Sequence, residues 1–128
     1  MAKRILIVED EPDLMAYFKR ALAQSGCELE VASNSHEAVQ RACELRPDLV
    51  LMDVMLPGIE ACRRMYADPG LTHVRVVMLS SRTEEVRQAA REAGAMDYWT
   101  LPIGPTELSA KVQSVLEQDS IAEAMLIG

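Results

Sequence analysis

Short, uniformly apolar runs alternate with stretches of helical periodicity along most of this chain. Ile5–Val8 is the first run and reads as a strand buried on both faces. Pro12 suits a first helical position, Leu14, Phe18 and Leu22 then share one helical face, and Gly26 is placed to stop the helix. Cys27–Ala32 is a second strand. Ser35 can cap a helix carrying Ala38, Ala42 and Leu45, which must finish before Pro47. Leu49–Met52 is a third buried run. Ile59 to Ala67 reads as a short helix closed by the turn signal Asp68-Pro69-Gly70. Val74–Leu79, apolar apart from Arg75, is a fourth strand. Thr83, Glu84 and Glu85 open another helix with acids where the macrodipole favours them, and Gly94 ends it. Ala95–Thr100 is a weaker fifth strand, and Pro105-Thr106-Glu107 begins a last helix with Leu108, Val112 and Val115 on its inner face.

Apolar strands separated by helices predict an α/β fold, a doubly wound five-stranded parallel sheet with helices on both faces. The expected organisation is one domain over residues 1–118 and a C-terminal tail over 119–128. Ile121, Met125 and Leu126 make that tail either a frayed end or the start of a linker or helix extension. A length of 128 residues and a mass of 14.2 kDa suit one domain with its own core. Hydrophobic residues make up 49% and aromatics only 4%, so Leu, Val, Ile, Met and Ala must fill that core, the eight methionines included. The net charge of −7 argues against a nucleic-acid backbone or an anionic membrane as direct partner. Cys27, Cys43 and Cys62, an odd number without metal-ligand spacing, read as small reduced core residues. His36 and His73 read as exposed and unpartnered. No secretory signal or membrane-length apolar stretch is recognisable, so a cytoplasmic location is expected.

The first strand ends abruptly in Glu9, Asp10 and Glu11, with no base between them. In an open parallel sheet, ligands bind beyond the carboxyl ends of the strands, where the strand order reverses. Glu9 and Asp10 lie at that end of the first strand and Asp53 at that end of the third. If those strands are neighbours, the carboxylates converge, and like charges so close call for a hard divalent ion such as Mg2+. Asp53 is then placed to attack phosphorus and form an aspartyl phosphate. Ser80 ends the fourth strand on the same edge and offers a hydroxyl. Taken singly, Glu9 and Asp10 read as solvated loop acids, Asp53 as a helix cap and Ser80 as a turn residue. Their common position at three strand ends favours the joint reading.

The segments "ILIVEDEPDL", "PDLVLMDVMLPG", "VVMLSSR", "EAGAMDYWTLP" and "PTELSAKV" together resemble the receiver domain of bacterial response regulators, the phosphorylated switch of two-component signalling. The resemblance covers nearly all of the chain. It implies five parallel strands in the order 2-1-3-4-5. It further implies Asp53 as phosphoacceptor, and Mg2+ on Asp10, Asp53 and the Met55 backbone carbonyl, with Glu9 acting through water. Ser80 would be the hydroxyl that moves toward the phosphoryl group and Tyr98 the aromatic that reorients with it. The implied partner is a sensor histidine kinase or phosphotransfer protein, with an effector domain beyond residue 128. Asp97, Arg87, Arg91, Glu107 and Lys111 resemble the charges through which such domains pair by the last two helices and fifth strand.

One departure bears on function. The family places a lysine before the proline that follows the fifth strand, and here Leu101 precedes Pro102. Lys3 and Lys111 lie where neither can replace it. Arg82, two residues beyond Ser80, offers a guanidinium as a surrogate, although a solvated loop arginine is the plainer reading. The alternative function is therefore a pseudo-receiver, an interaction module whose output no longer needs phosphate. An enzyme or nucleotide binder on the same sheet is disfavoured, because no Gly-rich phosphate loop follows the first strand.

Overall fold

A computed structural model describes residues 2–55, 57–81 and 84–127, the last nine as backbone only. Its elements are β1 (Arg4–Val8), α1 (Pro12–Ala21), β2 (Glu28–Ala32), α2 (Ser35–Leu45), β3 (Leu49–Asp53), α3 (Gly58–Tyr66), a 3-10 turn at Pro69–Leu71, β4 (Arg75–Ser80), α4 (Glu84–Glu92), β5 (Asp97–Thr100) and α5 (Pro105–Ile127). The strands form one parallel sheet in the order β2-β1-β3-β4-β5, as the pattern and the resemblance imply. Among the described residues, no helix is long and apolar enough to cross a membrane.

Strand alternation divides the core in two. Leu6, Val8, Val50, Met52, Val76, Met78 and Tyr98 pack with Ala38 and Ala42 of α2, Ala61, Cys62 and Met65 of α3 and Ala90 of α4. Ile5, Ile7, Leu49, Leu51, Val77, Leu79 and Trp99 pack with Phe18 of α1 and Leu108, Val112 and Val115 of α5. The central strands are thus buried on both faces, which is why they read as unbroken apolar runs. β2 is an edge strand and reads differently: Glu28 meets Arg4 at 3.0 Å and Glu30 meets Arg41 at 2.7 Å.

Several local expectations are corrected. α1 stops at Ala21, where Leu22 N–H bonds the Phe18 carbonyl, and Gly26 (φ +79°) instead makes the turn into β2. The cap of α2 is Asn34, one residue before Ser35, with Asn34 Oδ1 accepting from Glu37 N–H at 2.8 Å. The cysteines are free, but only Cys62 belongs to the core, its thiol pushed up to about 11 by burial; Cys27 is half-buried and Cys43 exposed. Of the methionines, Met55 and Met96 are exposed and fill no core. Trp99 is 4% exposed and lies on the face of the sheet opposite Tyr98, because consecutive strand residues point to opposite sides.

The corrected cap gives a direct test. Asn34→Ala should lower unfolding free energy by about 1 kcal/mol in a denaturant titration, the usual cost of a lost N-cap. Ser35→Ala should leave the midpoint nearly unmoved.

Candidate functional site

The sheet register brings the acids together. β1 and β3 are neighbours, with Val8 opposite Met52, so the residues just beyond Val8 emerge beside Asp53. Glu9 N–H still bonds the Ala32 carbonyl at the end of β2 (3.1 Å), which holds the chain against the sheet as it leaves β1. Oxygen atoms of Glu9, Asp10 and Asp53, one from each, all lie within 4.8 Å of one another. Glu9 is buried, Asp53 half-buried and Asp10 exposed, so the cluster opens from the sheet edge toward solvent.

This crowding has an electrostatic consequence. The Glu9 carboxyl is pushed up to about 7, first by burial and then by the Asp53 carboxylate, against a lowering hydrogen bond from Glu11 N–H (3.1 Å). Asp53 Oδ1 accepts the Met55 N–H at 2.8 Å, which fixes one oxygen of the carboxylate toward the following turn. The Met55 side chain projects into solvent at 58% exposure. A set of close oxygen donors, the buried one with its proton affinity raised, fits a hard divalent cation.

On the other side of Asp53, β4 ends with Ser80, only 4% exposed. The Ser80 carbonyl accepts from Leu101 N–H at 2.9 Å, tying the end of β4 to the segment after β5. Tyr98 is buried against the α2–α4 side with the Arg87 guanidinium 5.0 Å from its ring centre. Arg82 lies outside the described residues. Leu101 precedes a cis Pro102 and packs against the α1/α5 core. With Leu14, Tyr17, Ser81, Pro102 and Ile103 it lines an apolar depression of about 440 Å³. Lys111 is directed to the Trp99 ring, 5.7 Å from its centre, and so belongs to the α1/α5 side as well.

Some of this was not anticipated. Tyr17 donates its hydroxyl hydrogen bond to the Ile103 carbonyl and so ties α1 to the segment after β5. Its place beside Leu14 on one helical face was the available signal. Arg87, Lys111 and Asp97, grouped above as pairing charges, make contacts within the chain. Arg87 also meets Glu84 at 3.4 Å, and Asp97 Oδ2 accepts from the Trp99 indole at 3.0 Å.

The profile of the response regulator receiver domain matches residues 5–113. The chain belongs to this family. It is a receiver domain of two-component response regulators, homologous to their phosphoacceptor domains. The DNA-binding response regulator MtrA of Mycolicibacterium smegmatis is 40% identical over 134 aligned residues, covering 100% of this chain and 58% of MtrA. The alkaline phosphatase synthesis transcriptional regulatory protein PhoP of Bacillus subtilis is 36% identical over 126 residues, covering 95% of this chain and 52% of PhoP. The chain therefore spans little more than half the length of these curated relatives. The receiver domain of the sensor histidine kinase PA1611 from Pseudomonas aeruginosa PAO1 superposes with a TM-score of 0.83 and 27% identity, over 91% of this chain and 99% of that one; that receiver carries a magnesium ion coordinated in its active-site cleft. Receiver domains are phosphoacceptor signalling modules that bind Mg2+ at an acidic site, and this receiver presents such an acidic cluster.

The raised proton affinity of Glu9 gives a pH dependence of defined sign. The unfolded chain releases that proton near 4.5 and the folded chain holds it to about 7. The folded state thus binds more protons between these values, and Glu9 makes metal-free stability fall as pH rises across the window. Melting temperatures in chelator should show this decline, and Glu9→Gln should remove the Glu9 part of it. Asp53→Asn should raise the melting temperature in chelator, because it relieves repulsion retained for function.

Proposed function

We propose that this receiver operates as a phosphorylation-driven switch, with Asp53 as phosphoacceptor and a sensor histidine kinase or phosphotransfer protein as donor. The reading is carried by the carboxylate oxygens of Glu9, Asp10 and Asp53 within 4.8 Å of one another, at the ends of adjacent strands of a receiver fold. Asp10, Asp53 and the Met55 carbonyl would hold Mg2+, with Glu9 acting through water. Bound there, the ion supplies charge neutralisation for the incoming phosphoryl oxygens.

The chain's own residues do the rest. The Asp53 oxygen not held by Met55 N–H attacks phosphorus, forming a P–O bond as the P–N bond to the donor imidazole breaks. Glu9 gives up its proton when the cation arrives, so Mg2+ binding strengthens with pH through the range in which Glu9 titrates. Ser80 lies one residue beyond Leu79, which is opposite Asp53 in the sheet, and its hydroxyl is assigned to a phosphoryl oxygen. Tyr98, under Arg87, is assigned to relay the change to the face formed by α4, β5 and α5. That face is the proposed site of homodimerisation. Residues 119–128 are assigned as an extension beyond the receiver proper at 1–118, toward an effector.

Leu101 favours a second reading. An apolar side chain packed toward α1 and α5 takes the place of the family's lysine, which removes a charge-assisted contact worth about 1.5–3 kcal/mol. Arg82 is the proposed surrogate. If the loss is not made good, the domain is a pseudo-receiver with phosphate-independent output.

Incubation with a small acyl phosphate in Mg2+, read by intact mass, separates the two. The native chain should gain one phosphoryl group slowly, and Asp53→Asn should gain none. Leu101→Lys should react about tenfold faster or more, since each ~1.4 kcal/mol is a factor of ten. Arg82→Ala should slow the native reaction. A chain that takes no phosphate and binds no beryllofluoride is a pseudo-receiver.

A further inference from the structure

Gly58, the first residue of α3, lies five positions beyond Asp53 and received no role from the sequence pattern. Its φ is outside the left-handed region, so it is not needed for backbone freedom. Space is what requires it. A Cβ at this position would stand 2.2 Å from the Asp53 carbonyl oxygen, 3.0 Å from the Asp53 carbonyl carbon and 3.3 Å from Met52 Cγ. The first two are backbone atoms of the residue that bears the central carboxylate.

The strand side of this contact cannot give way cheaply. Met52 is paired between Val8 of β1 and Met78 of β4, Asp53 is paired with Leu79, and Val54 N–H bonds the Leu79 carbonyl at 3.3 Å. What can move is the start of α3. Two hydrogen bonds lie between it and the end of β3: Gly58 N–H to the Val54 carbonyl at 2.9 Å and Met55 N–H to Asp53 Oδ1 at 2.8 Å. A displaced helix start would loosen the first, whose acceptor is the carbonyl of the same Val54–Met55 peptide that orients the Asp53 carboxylate through its N–H, and Met55 itself bears the carbonyl assigned to the metal.

We propose that Gly58 is a positioning residue for the Mg2+ site: its missing side chain lets the first turn of α3 close directly on the Asp53 peptide and so sets the Asp53 carboxylate and the Met55 carbonyl at their working separation. This rests on the assignment of those two groups to the metal. A bulkier residue at 58 weakens the site even where the domain still folds.

The experiment is a Mg2+ titration followed by backbone amide shifts, with melting temperatures measured alongside, on the native chain, Gly58→Ala and Gly94→Ala. Gly94 is the control for simple destabilisation. It has φ +110°, and its Cβ would stand 2.6 Å from Tyr66 Cδ2, at the amino edge of the sheet away from the acids. Gly94→Ala should melt lower yet keep its Mg2+ affinity within about twofold, as distant sites act independently. Gly58→Ala should lose about ten- to a hundredfold in Mg2+ affinity, as loss of outer support to a metal site generally does. A Gly58→Ala chain that titrates like the native one overturns the inference. A native chain that does not bind Mg2+ overturns instead the metal assignment on which it rests. Should Gly58→Ala not fold, the native titration decides. There the Gly58 amide should shift on saturation together with that of Met55, and a silent Gly58 amide beside a moving Met55 would rule the coupling out.

Discussion

The proximity of Glu9, Asp10 and Asp53 is the constraint around which this domain is organised. Carboxylates with oxygens within 4.8 Å of one another repel, and burial together with that repulsion raises the proton affinity of Glu9. Such a cluster persists only where the surrounding backbone is too well held to relax. Here the holding is done by strands buried on both faces and paired on both sides. β1 and β3 cannot separate to relieve the charge without opening the centre of the sheet. The apolar monotony of the strands and the acidity of their ends are thus two parts of one arrangement.

The same rigidity governs what surrounds the acids. Ser80 and the backbone of Leu101 are tied to each other at the end of β4, so the residue before Pro102 has its place decided by the sheet edge and not by its own side chain. A leucine there turns to the α1/α5 core, where Leu14, Tyr17 and Ile103 give it apolar company. Leu101 therefore adds packing on the α1/α5 side. Tyr17, bonded to the Ile103 carbonyl, makes α1 part of that packing.

Tyr98 and Trp99 are adjacent in sequence and buried in different cores, each with a cation over its ring, Arg87 for the first and Lys111 for the second. A change at Ser80 is one strand from both. These two contacts tie β5 to the charges on α4 and α5.

Fold class, the run of elements and the acids at the strand ends were all legible in the sequence, because burial on both faces leaves an unmistakable apolar run and because charges cannot follow such a run without a reason. The family motifs supplied the strand order, which periodicity alone leaves open. Helix ends were read less well: the Asn34 cap and the stop of α1 at Leu22 depend on which backbone groups find partners, and neighbouring polar residues compete for that role. Three-dimensional packing alone decided the burial of Trp99, the exposure of Cys43, the raised proton affinity of Glu9 and the direction taken by Leu101. It also decided the closeness of Gly58 to the Asp53 carbonyl. Each of these depends on atoms brought together from separate strands or helices, and no periodicity along the chain encodes the distance between them.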